Sequence, residues 1–113
     1  MPCDTVQTTS VDLGKMAAPL AVAAVRALET AGEIRNVTIS ADASRISFRD
    51  RAGYLHTMAA GRLTSTAAGE ELTGAAAAAV RRAYSAQVIE YAARRQGWTL
   101  QKTGARQYAA RRA

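Results

Sequence analysis

The chain has 113 residues and a mass of 11.9 kDa, with 15 Lys+Arg against 9 Asp+Glu and a formal net charge of +6. That length holds one domain, residues 1–113, with a core just large enough to stand alone; the 49% hydrophobic share is heavy in alanine and only 5% of residues are aromatic. No apolar run is long enough to span a membrane, MPCDTVQTTSVD lacks a basic-then-apolar signal pattern, and one cysteine with one histidine makes neither an internal disulfide nor a structural zinc site, so a soluble cytoplasmic domain without membrane, metal or cofactor is expected.

Residues 4–11, rich in Thr and Val, read as a first strand ended by Asp12 and Gly14. Residues 16–31 are strong helix formers, with Pro19 tolerable in the first turn and Gly32 as the stop. Leu20, Ala24 and Leu28, with Ala21 and Val25, fall on one stripe. A hairpin follows: Val37 and Ile39 alternate with polar neighbours, Asp42-Ala43-Ser44 has turn chemistry, and Ile46 and Phe48 alternate again. Asp50-Arg51-Ala52-Gly53 reads as a second turn and 54–60 as a further strand. The Gly, Thr, Ser and Ala of 61–69 read as a loop.

A second helix is expected from Glu70, where Glu70 and Glu71 suit the positive end of the macrodipole, to about Gln96 before Gly97. Ala77, Val80, Tyr84, Val88 and Tyr91 mark its inner face. Residues 98–101 and 107–112 then form a closing hairpin about Thr103-Gly104-Ala105. The order β-α-β-β-β-α-β-β predicts an α+β fold: a mainly antiparallel sheet with both helices on one face, divisible after Phe48 into two β-α-β-β halves.

Charge is unevenly placed. Residues 1–71 carry seven basic and eight acidic groups, net −1, whereas residues 72–113 carry eight basic groups against Glu90 alone, net +7. Arg81, Arg82, Arg94, Lys102, Arg106, Arg111 and Arg112, with Arg95, therefore form a candidate surface for nucleic acid or an acidic partner, and Trp98, Tyr108 and Tyr54 could offer stacking faces. Arg94 and Arg95 also suit the negative helix end. The small residues of 74–79 let another backbone approach closely, and Ala75, Ala78, Ala86, Ile89 and Ala93 point away from the inner face, which marks them as a protein interface.

Catalytic patterns are sparse: there is no GxxxxGK[ST], GxGxxG or CxxC. Cys3 beside Asp4 lacks the positive neighbour a thiolate needs. His56 could serve Ser85 or Cys3 as a base, yet a lone histidine without partner spacing is more often a surface or hydrogen-bonded structural residue. Removal of Met1 would expose Pro2, and tautomerases of the macrophage migration inhibitory factor type use an N-terminal proline as base, with a cation such as Lys15 lowering its pKa.

The stretch VRRAYSAQVIEYAARRQGWTLQKTG (80–104), through Ala83, Tyr84, Val88, Ala92, Gly97 and Trp98, together with the Met1–Asp4 start, resembles a family with a domain of unknown function. It comprises the hypothetical chloroplast open reading frame thirty-five proteins, their cyanobacterial relatives and shorter bacterial and phage members. The resemblance implies a compact α+β domain; some relatives are encoded near AAA-type ATPases, which fits an accessory role, and it assigns no catalytic residue or cofactor. The leading expectation is a non-enzymatic assembly domain that self-associates or docks on a larger protein machine. Sequence-nonspecific nucleic-acid binding by the basic C-terminal surface is the first alternative, and a Pro2 tautomerase the second.

Overall fold

A computed structural model describes residues 8–95 in full and, beyond them, the strand backbone at 98–104 and 107–112. The elements run β1 (Thr8–Asp12), α1 (Ala18–Thr30), β2 (Ile34–Ile39), β3 (Arg45–Asp50), β4 (Leu55–Ala59), β5 (Arg62–Thr66), α2 (Glu70–Arg95), β6 (Trp98–Gly104) and β7 (Gln107–Arg112). The α+β class holds. Strands β1–β5 make one antiparallel sheet in the order β1-β5-β4-β3-β2, and β6–β7 pair separately. Both helices pack on one face of the large sheet.

Two expectations change. The segment expected as a loop, 61–69, contains β5, the strand that joins β1 to the rest of the sheet. The division into two β-α-β-β halves consequently fails, because β4 and β5 complete the first sheet and β6–β7 do not enter it. The hairpin β4–β5 turns on two residues, Ala60 and Gly61, both at positive φ (51° and 75°). This is the backbone of a type I′ turn, whose twist matches antiparallel strands.

Helix α1 begins with Pro19 in its first turn and has no side-chain N-cap. Instead the Ala17 amide donates to the Tyr84 hydroxyl at 2.8 Å, which ties the start of α1 to the middle of α2. At the other end Gly32, at φ +76°, donates to Glu29 O and Glu33 donates to Leu28 O. These two bonds make a Schellman cap, for which a left-handed glycine is the favoured residue.

The core is the layer between sheet and helices. Leu28, Ala24, Val25 and Ala21 of α1 and Thr73, Ala77 and Val80 of α2 cover Ile34, Ile46, Phe48, Met58 and Leu63. A bulge in β2 makes this possible. Asn36, at φ +55°, is the extra residue between the Arg35–Arg49 and Thr38–Ser47 pairs. It re-phases the strand, so Ile34 faces the core and Val37 and Ile39, three and five residues on, face it as well. On α2 the expected inner stripe is covered only as far as Tyr84. Val88 and Tyr91 share its phase and stand 39% and 50% exposed, since the helix there has passed beyond the sheet strands that bury Ala77 and Val80.

Candidate functional site

Three arrangements carry chemistry. The first is enclosed. His56 is fully buried on β4 between Phe48 of β3 and Ser65 of β5. Its Nε2 lies 2.8 Å from Asp50 Oδ2 and its Nδ1 2.5 Å from Ser65 Oγ. A carboxylate only accepts, so Nε2 carries a proton and donates to Asp50, while Nδ1 and the Ser65 hydroxyl share the second bond. Partial burial opposes the Asp50 charge, but the hydrogen bond from His56, the Tyr54 amide and the attraction to the His56 ring outweigh it and hold the carboxyl below its ordinary range.

Ser65, His56 and Asp50 thus touch in the order of a hydrolase triad, with the two ring nitrogens exchanged. A nucleophile must meet substrate, and both Ser65 and His56 have no exposed surface. The arrangement acts as a satisfied polar cross-link of three strands. Sequence reasoning paired His56 with Ser85 or Cys3. Ser85 is exposed on α2, Cys3 and Pro2 lie outside the described residues, and the true partner sits in the segment expected as a loop. Lys15 is exposed beside an open depression lined by Gly14, Met16 and Tyr84.

The second arrangement is a flank of α2. Leu72, Ala75, Ala79, Arg82, Ala86, Ile89 and Ala93 follow one another at alternating steps of three and four along the flank of α2 that borders α1, where Ala79 is half-buried against the core. None is buried; Leu72 and Ile89 are 38% and 44% exposed. Ala75, Ala86, Ile89 and Ala93 of the expected interface lie on this seam, and Ala78 borders it. Beside its N-terminal half, between α2 and the end of α1, is a cavity of about 300 Å³ walled by Leu72, Ala75 and Ala76 and floored by Leu28, Ile34 and Phe48.

The expected basic surface is dispersed where side chains are described. Arg81 donates to the Asp12 carbonyl at the end of β1. Arg82 lies 3.9 Å from Glu33 across the helix pair, Arg94 3.7 Å from Glu90, and Arg95 stacks 5.8 Å over the Tyr91 ring. Arg106 lies outside the described residues; Lys102 is placed on β6, and Arg111 and Arg112 on β7 opposite Thr99 and Trp98.

The third arrangement was not visible in the sequence. On the sheet face away from the helices, register aligns Ser10, Thr64, Thr57, Ser47 and Thr38 in one row across all five strands. Hydroxyl pairs close at 3.0 Å (Ser10–Thr64) and 3.2 Å (Ser47–Thr57). Exposed arginines flank the row, Arg62 and Arg45 on one side and Arg49 and Arg35 on the other.

Among the described residues no group of three or more His, Cys, Asp or Glu side chains could hold a metal ion, and no helix is long and apolar enough to cross a membrane. Comparison with protein-family models, with curated proteins and with solved structures returns no match.

Proposed function

We propose that this chain is a non-enzymatic assembly domain and that α2 pairs with α2 of a second copy, antiparallel, along the flank seam. The observation that carries the reading is the self-complementarity of that seam. Place a two-fold axis at Arg82. Leu72 then faces Ala93 of the second copy, Ala75 faces Ile89, and Ala79 faces Ala86, so each large apolar side chain meets an alanine. Glu70 and Glu71, in the first turn, fall opposite Arg95 and Arg94 in the last turn of the other helix. Ile89 arrives over the Ala75 wall of the cavity between α1 and α2. Arg82 meets its own copy on the axis, and each carries Glu33 as a local counter-charge.

A seam spanning 72–93 is roughly 32 Å long. One helix face of that length makes a small interface of the kind found in weak, transient association. Sedimentation equilibrium should show the mass rising from 11.9 kDa toward twice that value as protein concentration passes through micromolar. Ile89→Asp should hold the chain at one copy without loss of thermal stability. In a Cys3→Ser background, Ala75→Cys combined with Ile89→Cys should oxidise to a covalent dimer, because antiparallel pairing brings those positions together twice. A mass that stays at 11.9 kDa throughout would end this reading.

A further inference from the structure

We infer that the open face of the five-stranded sheet is a second, separate binding surface, and that its ligand is the phosphate backbone of duplex nucleic acid. Four observations converge. The face is cationic: Arg35, Arg45, Arg49 and Arg62 all lie on it and all are exposed. Among the described residues none of the four has a carboxylate within 4.0 Å, whereas Arg26, Arg82 and Arg94 do.

The cations are placed against their own interest. Arg35 and Arg49 are directly opposed across β2 and β3. Arg49 Nη1 donates to the Gly53 carbonyl at 2.8 Å, and Arg35 Nη2 reaches the same turn, 3.4 Å from where a Gly53 Cβ would stand. Like charges directly opposite on a sheet are destabilising, and an anion held between them reverses the sign.

The ground between the arginines is built for phosphate oxygens. Each bonded hydroxyl pair uses one proton internally and leaves the other to donate outward. Arg45 and Arg49 stand four residues apart on one strand, so the two cationic margins are separated by roughly 13 Å, close to the width of about 12 Å of the major groove that lies between two phosphate backbones. Finally, the face carries no aromatic side chain: its outward positions are Thr, Ser, Arg, Asp12, Leu55 and Ala59. Single strands are held by stacking bases on aromatic rings, which this face lacks, so a duplex is the occupant that fits.

The surface differs from the C-terminal basic set in residues and position, and it is independent of the α2 seam. The experiment is fluorescence anisotropy of a short mixed-sequence DNA duplex against the full chain, repeated across salt concentrations. With four phosphates neutralised, log K should fall against log salt with a slope of about −3.6, or roughly 150-fold between 50 and 200 mM. Each single change, Arg35→Ala, Arg45→Ala, Arg49→Ala or Arg62→Ala, should flatten the slope by about 0.9. Thr57→Val should weaken binding and leave the slope unchanged, since it removes a donor and no charge. Without nucleic acid, Arg35→Ala and Arg49→Ala should raise the melting temperature slightly, which separates lost binding from lost folding. Absence of binding at low salt, binding that survives loss of all four arginines, or tighter binding of the corresponding single strand would each overturn the inference.

Discussion

The two halves of α2 share one stripe and meet opposite fates. Thr73, Ala77 and Val80 are wholly buried under α1 and the sheet, whereas Val88 and Tyr91, in the same phase of the same helix, are open. Side-chain size follows the gap to be filled. Where the helix lies close on the sheet the stripe is built from Thr, Ala and Val; where the sheet has ended it carries Val and Tyr. Periodicity therefore reports which way a helix faces and is silent on how far the opposing surface extends. Beyond that limit the apolar bulk of Val88 and Tyr91 is left uncovered.

The largest difference between the covered and uncovered regions should appear on truncating aromatics. Phe48 lies under both helices, 1% exposed. Phe48→Ala should cost about 3–5 kcal/mol in urea denaturation, and Tyr91→Ala, half exposed, should stay within about 0.5 kcal/mol. Comparable losses at the two sites would mean that Tyr91 is part of a core after all.

A smaller effect separates the buried polar cross-link from an incidental one. His56→Ala strands both Ser65 and Asp50, at about 1–3 kcal/mol for each partner left unsatisfied. Asp50→Asn should remove most of the same interaction, so the double variant should cost much less than the sum of the singles. The pH dependence has a definite sign. The folded Asp50 carboxyl titrates below its ordinary value of 3.8, so its contribution is complete above that value and is lost as pH falls through the lower folded one. Urea midpoints for the parent chain should drop below pH 4 more steeply than those of Asp50→Asn. Asp42, held at about 2 by the Ser44 hydroxyl and amide and by the Ser40 hydroxyl, adds to the parent's acid sensitivity but is present in both chains and cancels in the comparison.

The same residue type on the one stripe gives the sharpest contrast. Val80→Ala removes two methyl groups from a site with no exposed surface and should cost about 1.5 kcal/mol or somewhat more. Val88→Ala should lie within about 0.5 kcal/mol for the single copy, and any larger loss should appear only at concentrations where two copies pair.

Most of the layer architecture was legible in the sequence because its signals are local. The Schellman glycine at 32, the alternation of Ile46 and Phe48, and the acidic first turn of α2 each encode their element within a few residues. Strand β5 was not. Its inward positions are Leu63 and Ser65, and an inward serine cancels the hydropathy alternation; only the tertiary partner His56 explains it. The basic sheet face was hidden by addition. Of the acids that bring residues 1–71 to net −1, Asp12 shares the face, but Asp50 turns into the His56 bond, Asp42 into its own turn, and Glu70 and Glu71 lie along α2. A segment total averages over faces that the fold then separates.

The smallest effect bears on that missed strand and carries the opposite sign. Ala60 occupies the first turn position of the β4–β5 hairpin at φ 51°, a left-handed conformation that costs an L-residue with a Cβ roughly 1–2 kcal/mol and that Asn adopts more readily. Asn-Gly is the favoured pair for a type I′ turn, and Gly61 already supplies its second half. Gly61 cannot change: a Cβ there would meet the Gly14 carbonyl oxygen at 2.8 Å, and its own carbonyl accepts the Leu13 amide at 2.7 Å, which joins the end of β1 to this turn. Ala60→Asn should therefore stabilise the chain by a fraction of that cost, about 0.5 kcal/mol, read as a rise of a few degrees in melting temperature. Gly61→Ala should lower it by more. If Ala60→Asn left the melting temperature unchanged and Gly61→Ala were harmless, the two-residue turn would be wrong, and with it the register that sets Ser65 against His56 and Thr64 in the hydroxyl row.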